Sequence, residues 1–282
     1  MARLTVVGSV NLDLVMQVPR MPVAGETVTD GIFSRHPGGK GANQALAARR
    51  LGAAVSLIAA VGNDETAGAA LRLLDEAGVD LSRCRADETS ATGIAMILVD
   101  SHGENQIAVA PGANRSLTVE NLELMIDEAV LCQLEIPMDT VQAAAAMTTG
   151  FFGLNAAPAR PVPKEILERA DLIVVNEGEY ATLGDELSDV SGLVAVTLGS
   201  AGATLYRKGK VFAEASPPAV AVVDTVGAGD CFVAALSVGL LDGLPPEKAL
   251  QRAVVAGALA TTTAGAQESM PTAAEVDSMM PS

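Results

Sequence analysis

The sequence predicts a single α/β domain over residues 1–282, with a mostly parallel central sheet, helices on both faces and a small β-sheet lid beside it. Three observations lead there. Short runs that are apolar throughout, as strands buried on both faces require, alternate with stretches of helical spacing. The 282 residues are 49% hydrophobic and 18% charged, enough to bury a full core without a disulfide or metal. Two regions, about 11–36 and 92–110, break the alternation with strand-like pieces that belong to a second sheet.

Residues 3–9 (RLTVVGS) open the chain as a buried strand. The next region carries strand-like pieces around MPVAGETV, and a glycine-rich turn then enters a helix bearing Lys40, Asn43 and Gln44. Residues 54–60 (AVSLIAA) form another buried strand. In residues 64–77 Asp64 is the N-cap, Ala67, Ala70, Leu71, Leu74 and Ala77 keep helical spacing, and Gly78 ends the helix. TGIAMILVD and ENQIAVA flank the polar turn SHGE, a β-hairpin that serves as a lid strand pair or as an ordinary surface hairpin. The runs 129–134 (AVLCQL), 171–175 (DLIVV) and 193–198 (LVAVTL) continue the main sheet, and VAVV at 220–223 reads as one more strand. Residues 245–263 begin with prolines and become apolar nearly all round, which describes a buried helix.

Composition excludes several functions. With 34 acidic against 18 basic residues and a net charge of −16, the chain cannot neutralise a nucleic-acid backbone. It has no Trp and 2% aromatic residues, so a bound adenine must lie between aliphatic side chains. Cys84, Cys132 and Cys231 form no CxxC pair and stand apart from His36 and His102, as reduced thiols without a zinc site do. Neither a signal segment nor a membrane-length apolar run is present, and a cytoplasmic protein is expected.

Chemistry concentrates in two segments. In VAVVDTVGAGDCFVAAL (220–236), Gly227, Ala228 and Gly229 let backbone amides approach a ligand at a helix N-terminus, which makes an anion hole suited to phosphate. The fragment also begins as a dinucleotide fingerprint, but Phe232 takes the last glycine position. Asp230 would repel a pyrophosphate unless it has another task, and beside an anion hole it can accept the proton of an attacking hydroxyl. The second segment, PGGKGANQAL (37–46), is no phosphate-binding P-loop, because Gly41 stands where Ser or Thr should follow the lysine. It reads equally as a tight turn with a capped helix and as a site for a polyhydroxylated ligand.

Together, in this order and far apart, PGGKGANQA and DTVGAGDCF resemble the two signatures of the ribokinase (phosphofructokinase-B) family of sugar kinases. Further matches span nearly the whole chain: GSVNLD (8–13), ENQIAVAPGAN (104–114), QLEIP (133–137), LNAAPAR (154–160), NEGE (176–179), TLGSAG (197–202) and GAQESMP (265–271). Three of these, ENQIAVAPGAN, QLEIP and LNAAPAR, most resemble the members that act on ribose. The resemblance implies ATP-dependent phosphorylation of a small sugar. Asp13, Gly39, Lys40 and Asn43 would hold the hydroxyls, Glu135 would sit near the anomeric end, and Asp230 would be the base. Asn176 and Glu179, read as sharing one helical face, would order magnesium and its waters. Thr197, Gly199, Gly229 and Gly265 would line the nucleotide pocket, and Asp224, Val226, Ala260, Thr263, Gly265 and Ser269 would bind potassium. The lid would clasp that of a second copy in a homodimer.

Without the resemblance, Asp13 and Lys40 read as solvated charges, Asn176 and Glu179 as a helix cap with an exposed acid, and Asp224 as a turn carboxylate. Three departures from the family pattern bear on the nucleotide: residues 181–195 are short where relatives fit an extra helix, Val254 replaces a frequent Asn, and the common Arg before the glycine of the GA pair is missing. A kinase for another small sugar or a nucleoside, and a catalytically silent sugar-binding protein, are the alternative expectations.

Overall fold

A computed structural model describes residues 1–124 and 127–280 of the chain. The chain starts with β1 (Arg3–Val7), then lays down β2 (Asn11–Gln17) and β3 (Ile32–Gly38) before α1 (Lys40–Arg50). Next come β4 (Ala54–Gly62), α2 (Glu65–Ala77), β5 (Cys84–Asp87) and the hairpin β6 (Gly93–Val99) and β7 (Asn105–Ala110). The middle of the chain alternates β8 (Val130–Gln133), α3 (Met138–Met147), β9 (Phe152–Asn155), α4 (Lys164–Arg169), β10 (Leu172–Asn176), α5 (Glu177–Leu183) and β11 (Leu193–Thr197). The hairpin β12 (Ala203–Arg207) and β13 (Lys210–Ala215) follows, and α6 (Ala228–Leu241), α7 (Pro246–Ala260) and α8 (Ala273–Met279) end the described chain.

The main sheet runs β13-β12-β11-β10-β9-β8-β1-β4-β5 and is parallel except where β12 meets its two neighbours. Successive strand side chains point to opposite faces, so each strand feeds two cores. Leu4, Val6, Leu57 and Val174 join α1, α6 and α7 on one face, while Val7, Ile58, Ile173 and Val175 join α3 and α4 on the other. From β1 the chain moves outward to β4 and β5, then returns to β8 on the other side of β1 and continues to β11. The β1/β8 boundary is therefore the switch point, beyond whose carboxyl ends open sheets of this kind open a crevice.

The separate sheet has the order β3-β2-β6-β7, with β2 and β6 parallel and the other pairs antiparallel. Its strands come from the two regions the sequence indicates, but the MPVAGETV segment is a loop between β2 and β3, closed by an exposed Arg20–Glu26 ion pair. Pro37 and Gly38, read as part of a turn, end β3 instead.

The VAVV run is not a strand. The N–H groups of Val223 and Asp224 both donate to Thr261 O, and Val222 and Val223 stay exposed. The outer edge of the sheet is already taken by the β12–β13 hairpin, whose two-residue turn has positive φ at Lys208 and Gly209, matching the twist of its strands. The first strand ends at Val7, two residues early, and α7 at Ala260, three residues early. Among the described residues no helix is long and apolar enough to cross a membrane.

Candidate active site

The site forms where the N-termini of α1 and α6 meet beyond the β1/β8 switch point. Gly227, the N-cap of α6, has φ of 79°, and a Cβ there would fall 2.9 Å from Ala266 Cα, so glycine is required for both conformation and space. The Ala228 N–H donates to Thr225 O at 3.3 Å. Those of Gly227, Gly229 and Asp230 have no acceptor among the described residues, and a Cβ on Gly229 would meet nothing within 4 Å. Open space bounded by unpaired amides at the positive end of a 14-residue helix is an anion cradle. Asp230 lies beside it, 8% exposed, with Oδ2 accepting from Asn43 Nδ2 and Oδ1 from Gln44 Nε2, each at 2.9 Å.

A group of carboxylates surrounds one lysine. Asp230, Glu135, Glu179 and Asp13 all hold the Lys40 ammonium above its usual pKa, Asp230 most strongly. Asp13 is pushed up to about 7 by burial and then by the neighbouring Glu135 charge. Glu135 is fixed by the Ser9 hydroxyl (2.5 Å) and by the Lys40 N–H (3.1 Å) at the start of α1. The preceding residue, Gly39, has φ of 89° and packs on Ser9 and Asn11, so the glycine-rich turn brings the α1 terminus onto the end of β1.

Asn176 and Glu179 form a capping box at the start of α5. Asn176 Oδ1 accepts from Glu179 N and Glu179 Oε2 from Asn176 N, both at 2.8 Å. Asn176 is the cap rather than a residue on the helix face, and Glu179 is buried rather than exposed, with its pKa raised by burial. Both line a cavity of about 140 Å³ with Lys40, Thr197, Gly229 and Asp230. Among the described residues no group of three or more His, Cys, Asp or Glu side chains is arranged to hold a metal. Asp224 ties the neighbouring loops together: its carboxylate accepts from Val226 N and Gly265 N, while its own N–H donates to Thr261 O. The segments carrying Asp224 and Val226, Ala260 and Thr263, and Gly265 and Ser269 are thereby adjacent. Gly199 begins a short turn after β11.

Residues 1–273 match the family model described as pfkB family carbohydrate kinase. The chain belongs to the pfkB family of carbohydrate kinases. It is 37% identical over 296 residues to a ribokinase of Bacillus subtilis, covering 99% of this chain and 100% of the relative. A ribokinase crystal structure from Thermotoga maritima superimposes with a TM-score of 0.89 at 30% identity, covering 99% of each chain. The structure of Arabidopsis thaliana ribokinase complexed with ribose and ATP gives a TM-score of 0.84 at 30% identity, covering 100% of this chain and 99% of the other.

In this carbohydrate kinase the two sequence signatures meet directly, through the bonds of Asn43 and Gln44 to Asp230. The sequence reading assigned no role to several neighbours that complete the site. Gln133 and Asn155 are amides at the ends of apolar strands, and that placement is the signal that marks them. Asn114 binds the backbone of Val10 and the side chain of Asn11, fixing the crossing between sheets. His36 on β3 meets Glu268 at 3.2 Å, and Arg50 donates to the carbonyls of Gln267 and Met270. Cys231 is fully buried and burial pushes its thiol up, as expected of an inert packed residue.

Proposed function

We propose that this kinase transfers the γ-phosphoryl group of ATP to the 5-hydroxyl of D-ribose, giving ribose 5-phosphate. The observation that carries the reading is a carboxylate, Asp230, aimed beside three acceptor-free N–H groups at a helix N-terminus. Asp230 takes the hydroxyl proton as the sugar oxygen bonds to the γ-phosphorus, the bond to the bridging oxygen breaks, and ADP leaves. The N–H groups of Gly227, Gly229 and Asp230 hold the charge on the group in transfer. Asp13, Gly39, Lys40 and Asn43 bind the sugar hydroxyls and Glu135 the anomeric end. Full-length likeness to ribokinases supports ribose as the acceptor.

Magnesium, when bound, neutralises phosphate charge. The buried Glu179, with one oxygen committed to the cap and its pKa raised, fits a role toward that ion through water, together with Asn176. Thr197, Gly199, Gly229 and Gly265 border the nucleotide, and the exposed Val222, Val223 and Val226 offer it an aliphatic surface. Potassium fits among Asp224, Val226, Ala260, Thr263, Gly265 and Ser269, and equal rates with potassium and tetramethylammonium would remove that assignment. The small sheet acts as a lid, and its exposed Ile32, Phe33, Met96, Ile107 and Val109 support a lid-to-lid homodimer. A monomer mass at micromolar concentration by sedimentation would contradict it. Unpaired thiols fit a cytoplasmic setting.

The acceptor is tested by ADP release with ATP, magnesium and potassium against D-ribose, 2-deoxyribose, fructose, fructose 6-phosphate, adenosine and pseudouridine. Preference for ribose is expected. A different preferred acceptor overturns the substrate, and no turnover on any favours a silent binding protein.

A further inference from the structure

Asp230 occupies the third helical position of α6, where an acid ordinarily folds back onto the N-cap amide. Glu179 in α5 and Glu275 in α8 do so, each accepting from its own N-cap N–H. Asp230 does not, because both of its oxygens are held by amides from α1. An Asp230 that capped its own helix would fill the anion cradle and turn away from the acceptor hydroxyl.

The two amides are not equivalent. Asn43 Oδ1 is buried without a partner among the described residues, so this side chain has hydrogen-bonding capacity left for a ligand. Gln44 is 0% exposed and committed to protein on every side. Its Nε2 donates to Asp230 Oδ1 and Asn155 Oδ1, both at 2.9 Å, and its Oε1 accepts from Gln133 Nε2 at 2.7 Å. Its sense is fixed, since a carboxylate only accepts and Asn155 spends its own Nδ2 on Val174 O. A flipped amide would set its oxygen against the oxygens of Asp230 and Asn155. Gly8 allows this arrangement, because a Cβ there would fall 2.0 Å from Gln133 Oε1.

We infer that Gln44, locked by Gln133 and Asn155, is a positioning residue for phosphoryl transfer: it holds Asp230 Oδ1 off the α6 amides so that Oδ2 faces the acceptor. Asn43 then releases Oδ2 to the incoming sugar. The inference rests on Asp230 being the base. The charged groups around Asp230 are Lys40, Asp13 and Glu179, and the substitutions below leave all three in place.

The test is steady-state kinetics of the full chain carrying Gln44→Met or Gln133→Met, with ribose, ATP and magnesium across pH 5 to 9. For Gln44→Met, kcat should fall roughly 10- to 100-fold with KM for ribose within about threefold. The acid limb of kcat should rise by roughly one pH unit, since a carboxylate that loses a donor is less easily charged. Gln133→Met, which does not touch Asp230, should shift both in the same direction by less. A loss carried by KM, an unshifted acid limb, or unchanged kcat overturns the inference. Should Gln44→Met fail to fold, the same outcomes in Gln133→Met decide it. Asp230→Asn run in parallel keeps the two claims apart: if that enzyme turns over normally, the base assignment fails, whereas loss there with normal Gln44→Met leaves the base and removes only the positioning role.

Discussion

Asp13 is held by the fold in a state its sequence does not announce. In isolation it reads as a surface charge on an alternating strand, but β2 turns it toward Glu135, Asp230 and Glu268, with His36 and Lys40 also within electrostatic reach. Burial and those acids raise it to about 7. The folded state then binds a proton that the unfolded chain has released, so this residue's contribution to stability is complete below about pH 4 and disappears as pH rises to about 7. Relative to Asp13→Asn, the wild type should lose up to about 1.4 kcal/mol per pH unit across that window. Urea melts at pH 5 and pH 8 check this: the Asn variant should gain roughly 2–3 kcal/mol on the wild type between the two, and a pH-independent difference counts against it. At this scale the sequence disclosed residue types and left out their partners. Asp230 and Asn43 were legible because glycine-rich signatures surround them, whereas Gln133 and Asn155 needed the strand order to bring β8 and β9 under α1.

Among the elements, α2 was the most legible because its ends carry local chemistry: Asp64 accepts from Ala67 N at 2.9 Å, and Gly78 closes the helix with φ of 75°. Asp64 also does something the spacing could not show. Its carboxylate accepts from Thr92 N and Thr92 Oγ1, each at 2.8 Å, joining the start of α2 to the entry of β6 in the small sheet. Although desolvated, Asp64 is kept below the usual carboxylate range by those Thr92 and Ala67 bonds, so the junction is intact at neutral pH and weakens only as pH falls below about 4. Asp64→Ala should cost roughly 2–3 kcal/mol in urea unfolding at pH 7, more than a helix cap alone. A cost below about 0.5 kcal/mol, the range of an ordinary surface change, would show that the junction carries little. The misread elements fail for the opposite reason. VAVV has strand composition, but the N–H groups of Val223 and Asp224 are taken by Thr261 O after α7 rather than by a strand, and MPVAGETV turns between strands instead of joining either.

For the whole molecule, the alternation of buried strands and helices was enough to give a parallel sheet, and the two irregular regions were enough to give a second one. What alternation could not give is the order of strands, and that order makes the site: the return of the chain to β8 beside β1 opens the crevice where α1 and α6 point their N-termini. The short stretch after α5 contains a single 3-10 turn, Gly184–Leu187, before β11, in keeping with the shortness of residues 181–195 in the sequence. The account as a whole stands on ribose-dependent phosphoryl transfer through Asp230. Its most direct test is the initial rate of ADP formation at saturating ATP and magnesium, with and without D-ribose, in the wild type and in Asp230→Asn folded to the same circular dichroism spectrum. The account predicts a rate that requires ribose and falls by about 10²- to 10⁴-fold in the variant; a rate indifferent to ribose, or one that survives the loss of the carboxylate, would contradict it.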